Sequence, residues 1–206
     1  IADDVQRLDR LISDISNASR LDAELSRAEP EPVDIGLLLT MLAELRQTVA
    51  ETVAETADQP VSAGGTGEAA AAPPRVVVDV PAGERLVVPG LEGRLTQVFQ
   101  NLIDNALSFS PPGGLVRLTA RRSGRSVTVV VSDQGPGIPE GKEEAIFDRF
   151  YTERPAGEKF GTHSGLGLSI VKQIVSAHNG SVFAQNRKIS DGNIDGADFV
   201  VTLPLL

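Results

Sequence analysis

Asn101 and Asn105 stand four residues apart, and Gln97 stands four residues before them. On a helix that spacing lines three amide side chains along one edge. Asn is a poor helix former, so two in register invite a chemical reason. A neutral amide oxygen suits magnesium, which keeps several waters and takes further oxygens from phosphates. From spacing alone, a polar helix edge bonded to neighbouring loops is the simpler reading. A second stretch, Asp133-Gln134-Gly135-Pro136-Gly137-Ile138-Pro139, directly follows a β-branched run. A carboxylate at a strand end can accept a hydrogen bond from an exocyclic amine. Gly135 and Gly137 would let a flat ring approach the backbone. The same residue types also make an ordinary turn.

Two more stretches complete the set. Ile146-Phe147-Asp148-Arg149-Phe150-Tyr151 concentrates aromatic residues in a chain with only 4% of them. These rings serve either a ligand or the core. Residues 152–163, with Pro155, Gly157 and Gly161 and little periodicity, read as a mobile lid. Then Ser164-Gly165-Leu166-Gly167-Leu168 runs into a helix whose apolar face is Ile170, Val171, Ile174 and Val175. Ser164 is a candidate N-cap, and Asn179-Gly180 a candidate stop. A helix start offers unpaired N–H groups and the positive end of the macrodipole, a setting for phosphate. A tight loop needing glycine for its backbone angles is the alternative.

The elements that must position these residues are legible from hydrophobic period. A helix over Leu91–Leu107 carries Leu95, Val98, Phe99, Leu102, Ile103 and Ala106 on one face. Strands are expected at Arg75–Val80, Arg85–Val88, Leu115–Arg121, Ser126–Ser132, Ser181–Asn186 and Ala197–Leu203. Turns at Ser123-Gly124-Arg125 and around Asp191-Gly192 make hairpins of the last four. Upstream, Asp34 caps a helix bearing Leu37, Leu38, Met41, Leu42 and Leu45, and Glu29-Pro30-Glu31-Pro32 reads as a breaker. Val5, Leu8, Ile12 and Ile15 form a narrow apolar seam, suited to another helix. Residues 54–74 read as a disordered loop of low complexity. Interspersed helices and hairpins predict an α+β fold, a two-layer sandwich with helices on one face of a mixed sheet.

Composition narrows the chemistry. The 206 residues carry a formal net charge of −9, which argues against a nucleic-acid surface. A phosphate site here must rely on backbone N–H groups and a metal ion. Without cysteine there are no disulfides and no thiolate zinc site. No P-loop signature follows any strand. No apolar run is long enough to span a bilayer. The chain begins at Ile1 without methionine and is expected to be part of something longer.

In order, Asn101-Leu102-Ile103-Asp104-Asn105-Ala106, Asp133 to Gly137, Phe147 to Phe150 and Gly165-Leu166-Gly167-Leu168 resemble the N, G1, F and G2 boxes of sensor histidine kinases. Each motif alone is weak, whereas four in order are strong. Arg7-Leu8-Asp9-Arg10-Leu11-Ile12 resembles the second helix of the dimerisation and histidine-phosphotransfer domain, and residues 10–25 are most similar to ChvG/ExoS-type kinases of alphaproteobacteria. The resemblance implies residues 1–28 as part of the phosphotransfer domain and 29–206 as an ATP-binding domain of the GHKL (Bergerat) type. It implies that Asp133 bonds the adenine amine. Asn105 holds magnesium, with Asn101 as second candidate ligand. Gly135, Gly137, Ile138 and Phe150 line the nucleotide site, and Gly165, Leu166, Gly167 and Leu168 meet the phosphates. The implied partners are a response regulator receiver domain and a second copy, paired through the N-terminal helix. The implied location is the cytoplasmic side of an inner-membrane sensor, anchored only by upstream segments.

Two positions depart from the family pattern: Ser108 stands where Lys or Arg is frequent, and His163 where glycine is. Neither His163 nor His178 has the context of the family's phosphoacceptor, which is expected on a helix before Ile1. A gyrase- or MutL-like ATPase is the rival reading, but those relatives place a glutamate base where Asn101 stands. A nucleotide-sensing scaffold without kinase activity is the third.

Overall fold

The computed structural model describes residues 28–57, 72–151, 165–189 and 191–206. The apolar seam near the N-terminus, residues 152–164 and most of the low-complexity stretch lie outside the described residues. The elements run β1 (Glu31–Asp34), α1 (Ile35–Ala57), β2 (Arg75–Asp79), β3 (Val87–Gly90), α2 (Glu92–Phe109), β4 (Leu115–Ser123), β5 (Ser126–Ser132), a 3₁₀ turn (Ala145–Phe147), α3 (Gly167–Ala177), β6 (Ser181–Lys188) and β7 (Ile194–Pro204).

Five strands form one sheet in the order β2-β4-β5-β7-β6. β2 runs parallel to β4, and every other pair is antiparallel, so the sheet is mixed as the hairpins predict. Alternate residues of its central strands point inward: Val127, Val129 and Val131 of β5 are fully buried. They meet Leu95, Val98, Phe99, Leu102, Ile103 and Ala106 of α2 and Ile170, Val171, Ile174 and Val175 of α3 in one core. Each large side chain so buried contributes about 1.5–3 kcal/mol. The core is mostly aliphatic, with Phe99, Phe147 and Phe199 as its aromatic members.

Three boundaries differ from the expectation. Glu31–Asp34 is a strand, not a breaker, and pairs antiparallel with β3, setting Pro32 opposite Pro89. A separate two-stranded ribbon tolerates proline because its outward N–H groups have no ladder partner to lose. β3 accordingly begins at Val87 and runs through Pro89 to Gly90. Helix α1 starts where Asp34 caps it, with Leu37 N–H donating to Asp34 Oδ1 at 3.1 Å. It then continues to Ala57, into the stretch read as loop. Ala and Glu in that last part sustain helix propensity after the apolar period fades.

Candidate functional site

Asp133 follows β5 and is 3% exposed. Its Oδ1 accepts two main-chain bonds, from Gly135 N–H at 2.8 Å and Ala197 N–H at 3.1 Å. Its own N–H donates to the Ala197 carbonyl at 3.0 Å. Among the described residues both bonds to the carboxylate go to Oδ1, and none goes to Oδ2. Burial pushes the carboxyl above its ordinary value of 3.8, against the two N–H bonds and the Arg187 charge, which hold it down.

The glycines beside it are needed by space. A Cβ on Gly135 would lie 2.9 Å from the Phe109 carbonyl oxygen, at the end of α2. Gly137 has φ +81°, and a Cβ there would lie 2.5 Å from Ile194 Cγ2 and 2.6 Å from Asn186 Oδ1. Ile138 is buried, and its main chain is bonded at both atoms to the Asn186 amide.

Near the middle of α2, Asn101 Nδ2 donates to the Gly167 carbonyl at 3.3 Å. Helix α3 starts at Gly167, after Gly165 with φ +72°. Its N-cap is Leu166, without a side-chain cap, so the cap does not fall to Ser164, which itself lies outside the described residues. Nothing on that residue closes the first turn, whose N–H groups have no helix carbonyl to meet. Leu166 and Leu168 turn their side chains to the core.

Eight residues separate Asn101 from Phe109, or about 12 Å along α2. Asn105 lies midway, and its amide makes no bond among the described residues. The second half of α2 thus connects Gly167 with the Asp133–Gly135 loop. Gln97 is drawn aside, its Oε1 accepting from Arg94 at 2.9 Å, and Arg46 holds Asp104 at 2.5 Å. Among the described residues there is no group of three or more His, Cys, Asp or Glu that could hold a metal. Asn105 and Asn101 are the residues whose amide oxygens could hold a cation here, together with oxygens from a ligand. That donor set fits magnesium and no softer metal.

The aromatic stretch divides by role. Phe147 is buried and meets Phe199 edge to face, with centroids 6.4 Å apart. Phe150 is 53% exposed, and its backbone is left-handed at φ 66°. His178 is buried, and both ring nitrogens are engaged. Leu91 N–H donates to Nε2 at 3.1 Å, and Nδ1 lies 2.8 Å from the Ile174 carbonyl. A carbonyl only accepts, so the proton sits on Nδ1.

Three residues escaped the sequence reading: Asn186, Arg187 and Gly196. The first two sit in the polar run Gln185-Asn186-Arg187-Lys188, which breaks the alternation of β6. Gly196 has φ +119°, and a Cβ there would overlap the Asp133 carbonyl oxygen. A glycine inside a strand pattern is a signal for such a close approach.

A mixed sheet under helices, with a buried acid at a strand end and a glycine-flanked helix start, defines a nucleotide-binding domain of the ATPase sandwich type. The chain belongs to the family of histidine kinase-, DNA gyrase B- and HSP90-like ATPases, which residues 90–206 match. It is 46% identical to the sensor protein ChvG of Rhizobium meliloti over 209 residues, which cover 99% of this chain and 33% of that protein. The chain thus spans about a third of the length of that relative. Full-length ShkA, solved in complex with AMPPNP, superposes with a TM-score of 0.70 at 26% identity, over 97% of this chain and 36% of that one. The mycobacterial sensor histidine kinase MprB superposes with a TM-score of 0.63 at 26% identity, over 85% of this chain and 97% of that one. The α+β sandwich expected from sequence is therefore the observed fold.

Proposed function

We propose that this domain binds ATP with magnesium and donates the γ-phosphoryl group to a histidine on a helix that precedes Ile1 in the whole protein. The observation that carries this reading is the pairing of Asp133 and α3 across one edge of α2. A buried carboxylate with one open oxygen suits the adenine amine. The glycine-flanked start of α3, about 12 Å away by helix length, suits the phosphates. Gly135, Gly137 and Ile138 would floor the base. Phe150, Gly165, Leu166, Gly167 and Leu168 would border the phosphates. Asn105 would hold magnesium, with the Asn101 Oδ1 as second ligand, and the ion would neutralise charge on the transferring group.

Phosphoryl transfer fits better than hydrolysis. An asparagine takes no proton at neutral pH, so Asn101 cannot activate water as a carboxylate does. Its amide is already committed as donor to the Gly167 carbonyl. An imidazole acceptor is nucleophilic without such a base. The likeness of nearly the whole chain to a third of a sensor protein supports relay from that histidine to an aspartate of a response regulator receiver domain. It also supports pairing of two copies through the N-terminal segment, and a cytoplasmic position below a membrane anchor supplied by upstream segments. Among the described residues no helix is long and apolar enough to cross a membrane.

Calorimetry of the domain with ATP, with and without magnesium, tests the binding. Saturable binding that strengthens with magnesium is expected. Absence of any nucleotide binding would leave the scaffold reading instead. Steady phosphate release at the rate of a dedicated ATPase would overturn the transfer reading.

A further inference from the structure

Two consecutive residues of β6 hold both ends of the loop that carries Asp133. Asn186 faces Ile138 and imitates a strand partner: its Oδ1 accepts from Ile138 N–H at 2.6 Å, and its Nδ2 donates to the Ile138 carbonyl at 2.7 Å. Arg187 reaches the other end, where Nη2 donates to the Asp133 main-chain carbonyl at 2.6 Å. The same guanidinium bonds the Asp195 carbonyl, and Nη1 bonds Asp198 Oδ1 at 3.0 Å.

The sheet is shaped for this. Asn186 pairs with Ala197, and Lys188 with Ile194, so two steps on β6 face three on β7. The extra residue makes a bulge, which bends β7 and re-aims what lies beside it. Gly196 lies in that bulge, where only glycine lets β7 touch the Asp133 carbonyl. Gly137 similarly leaves the space that the Asn186 amide fills.

We propose that Asn186 and Arg187 are positioning residues for base recognition, fixing the 133–138 loop so that the free oxygen of Asp133 meets an exocyclic amine. The inference rests on the reading of Asp133 as amine acceptor. Neither residue touches the base itself. Arg187 fixes the main chain from which the carboxylate projects. Asn186 fixes the far end of the loop, and with it the tilt of any ring lying on Gly135 and Gly137. A ring that tilts loses the amine bond while keeping its phosphate contacts.

The test compares two ligands on the same domain by calorimetry: ATP, and the triphosphate of purine riboside, which lacks the amine. The unaltered domain is expected to prefer ATP by about tenfold or more, the worth of one charge-assisted bond. Asn186→Ala and Arg187→Lys are each expected to weaken ATP about tenfold and to compress that preference toward unity. Arg121→Ala removes an exposed pair with Asp79 elsewhere on the sheet and should change neither value. If Asn186→Ala does not fold, Asn186→Ser removes the same two bonds in a smaller step. Variants that bind both ligands more weakly but keep the ratio would overturn the positioning role and leave the Asp133 reading standing. An unaltered domain without any preference would overturn the Asp133 reading itself.

Discussion

The main-chain N–H of Phe150 donates to the carbonyl of Gly165 at 3.0 Å. This bond ties the end of the aromatic stretch to the start of the glycine pair, on either side of residues 152–164. The sequence expectation for residues 152–163 is a lid, and fixing the backbone of one residue costs about 1–2 kcal/mol, which phosphate contacts must offset. Amide exchange across 152–164 is therefore expected to slow when a non-hydrolysable ATP analogue binds. The Phe150 amide itself should be protected in both states. Exchange that ATP analogues leave unchanged throughout the segment would refute this coupling.

Phe147 and Phe150 should respond very unequally to truncation. Phe147 is 5% exposed and packs on Phe199, so Phe147→Ala is expected to destabilise by about 3–5 kcal/mol. Phe150 is 53% exposed and holds φ 66°, so Phe150→Ala should cost less than about 1 kcal/mol. Phe150→Gly should match or exceed the stability of Phe150→Ala, since glycine alone adopts that backbone freely. Denaturant titration of the three variants gives the order. ATP affinity should fall for Phe150→Ala if the ring borders the nucleotide.

Asp133→Asn should uncouple stability from binding. Burial raises the Asp133 carboxyl above 3.8 in the folded domain. Between 3.8 and the raised value the folded state keeps a proton that the unfolded state has lost. Stability therefore falls as pH rises through that window, and stays lowered above it. The asparagine variant has no such cost. Its Oδ1 can keep the bonds from Gly135 and Ala197, so at pH 7 it should melt higher than the parent. The gain should vanish as pH falls below the window. ATP affinity should move the other way, dropping about ten- to hundredfold in the variant, because an amide cannot replace the charged acceptor. Melting curves across pH and calorimetry at pH 7 read the two effects separately.

What the sequence made legible was local. Asp133, Gly135 and Gly137 are adjacent in the chain, and their residue types alone suggest a ring beside a carboxylate. The Asp34 cap likewise needs only a carboxylate before an apolar period. Asn186 left no comparable signal, because its partner Ile138 is 48 residues away and the contact is to main chain. Side chains that bond backbone put no demand on the type of the residue they hold. The β1–β3 ribbon was hidden because proline reads as a stop unless the pairing is known to be short and open. The left-handed backbone of Phe150 was hidden for the opposite reason. Nothing in a phenylalanine announces it, and only the Gly165 bond and the surrounding chain impose it.

The last prediction concerns histidine. The domain should bind ATP and yet fail to label itself. His178 is buried, its Nε2 accepting from Leu91 N–H while Nδ1 donates to the Ile174 carbonyl. Neither nitrogen has a free lone pair to attack phosphorus. His178→Ala should instead act on the fold, leaving the Leu91 N–H at the start of α2 unpaired, at a cost of about 1–3 kcal/mol. Transfer needs an attacking atom about 3–3.5 Å from the γ-phosphorus and in line with the leaving oxygen. We assign that atom to an imidazole upstream of Ile1. Extending the chain upstream should therefore produce an acid-labile phosphoramidate and pairing of two copies through the Val5–Ile15 seam. The measurement is incubation of both proteins with γ-labelled ATP, followed by acid treatment and mapping of the label. Stoichiometric label on the shorter chain, at His163, His178 or elsewhere, would falsify the assignment of the acceptor to the upstream helix.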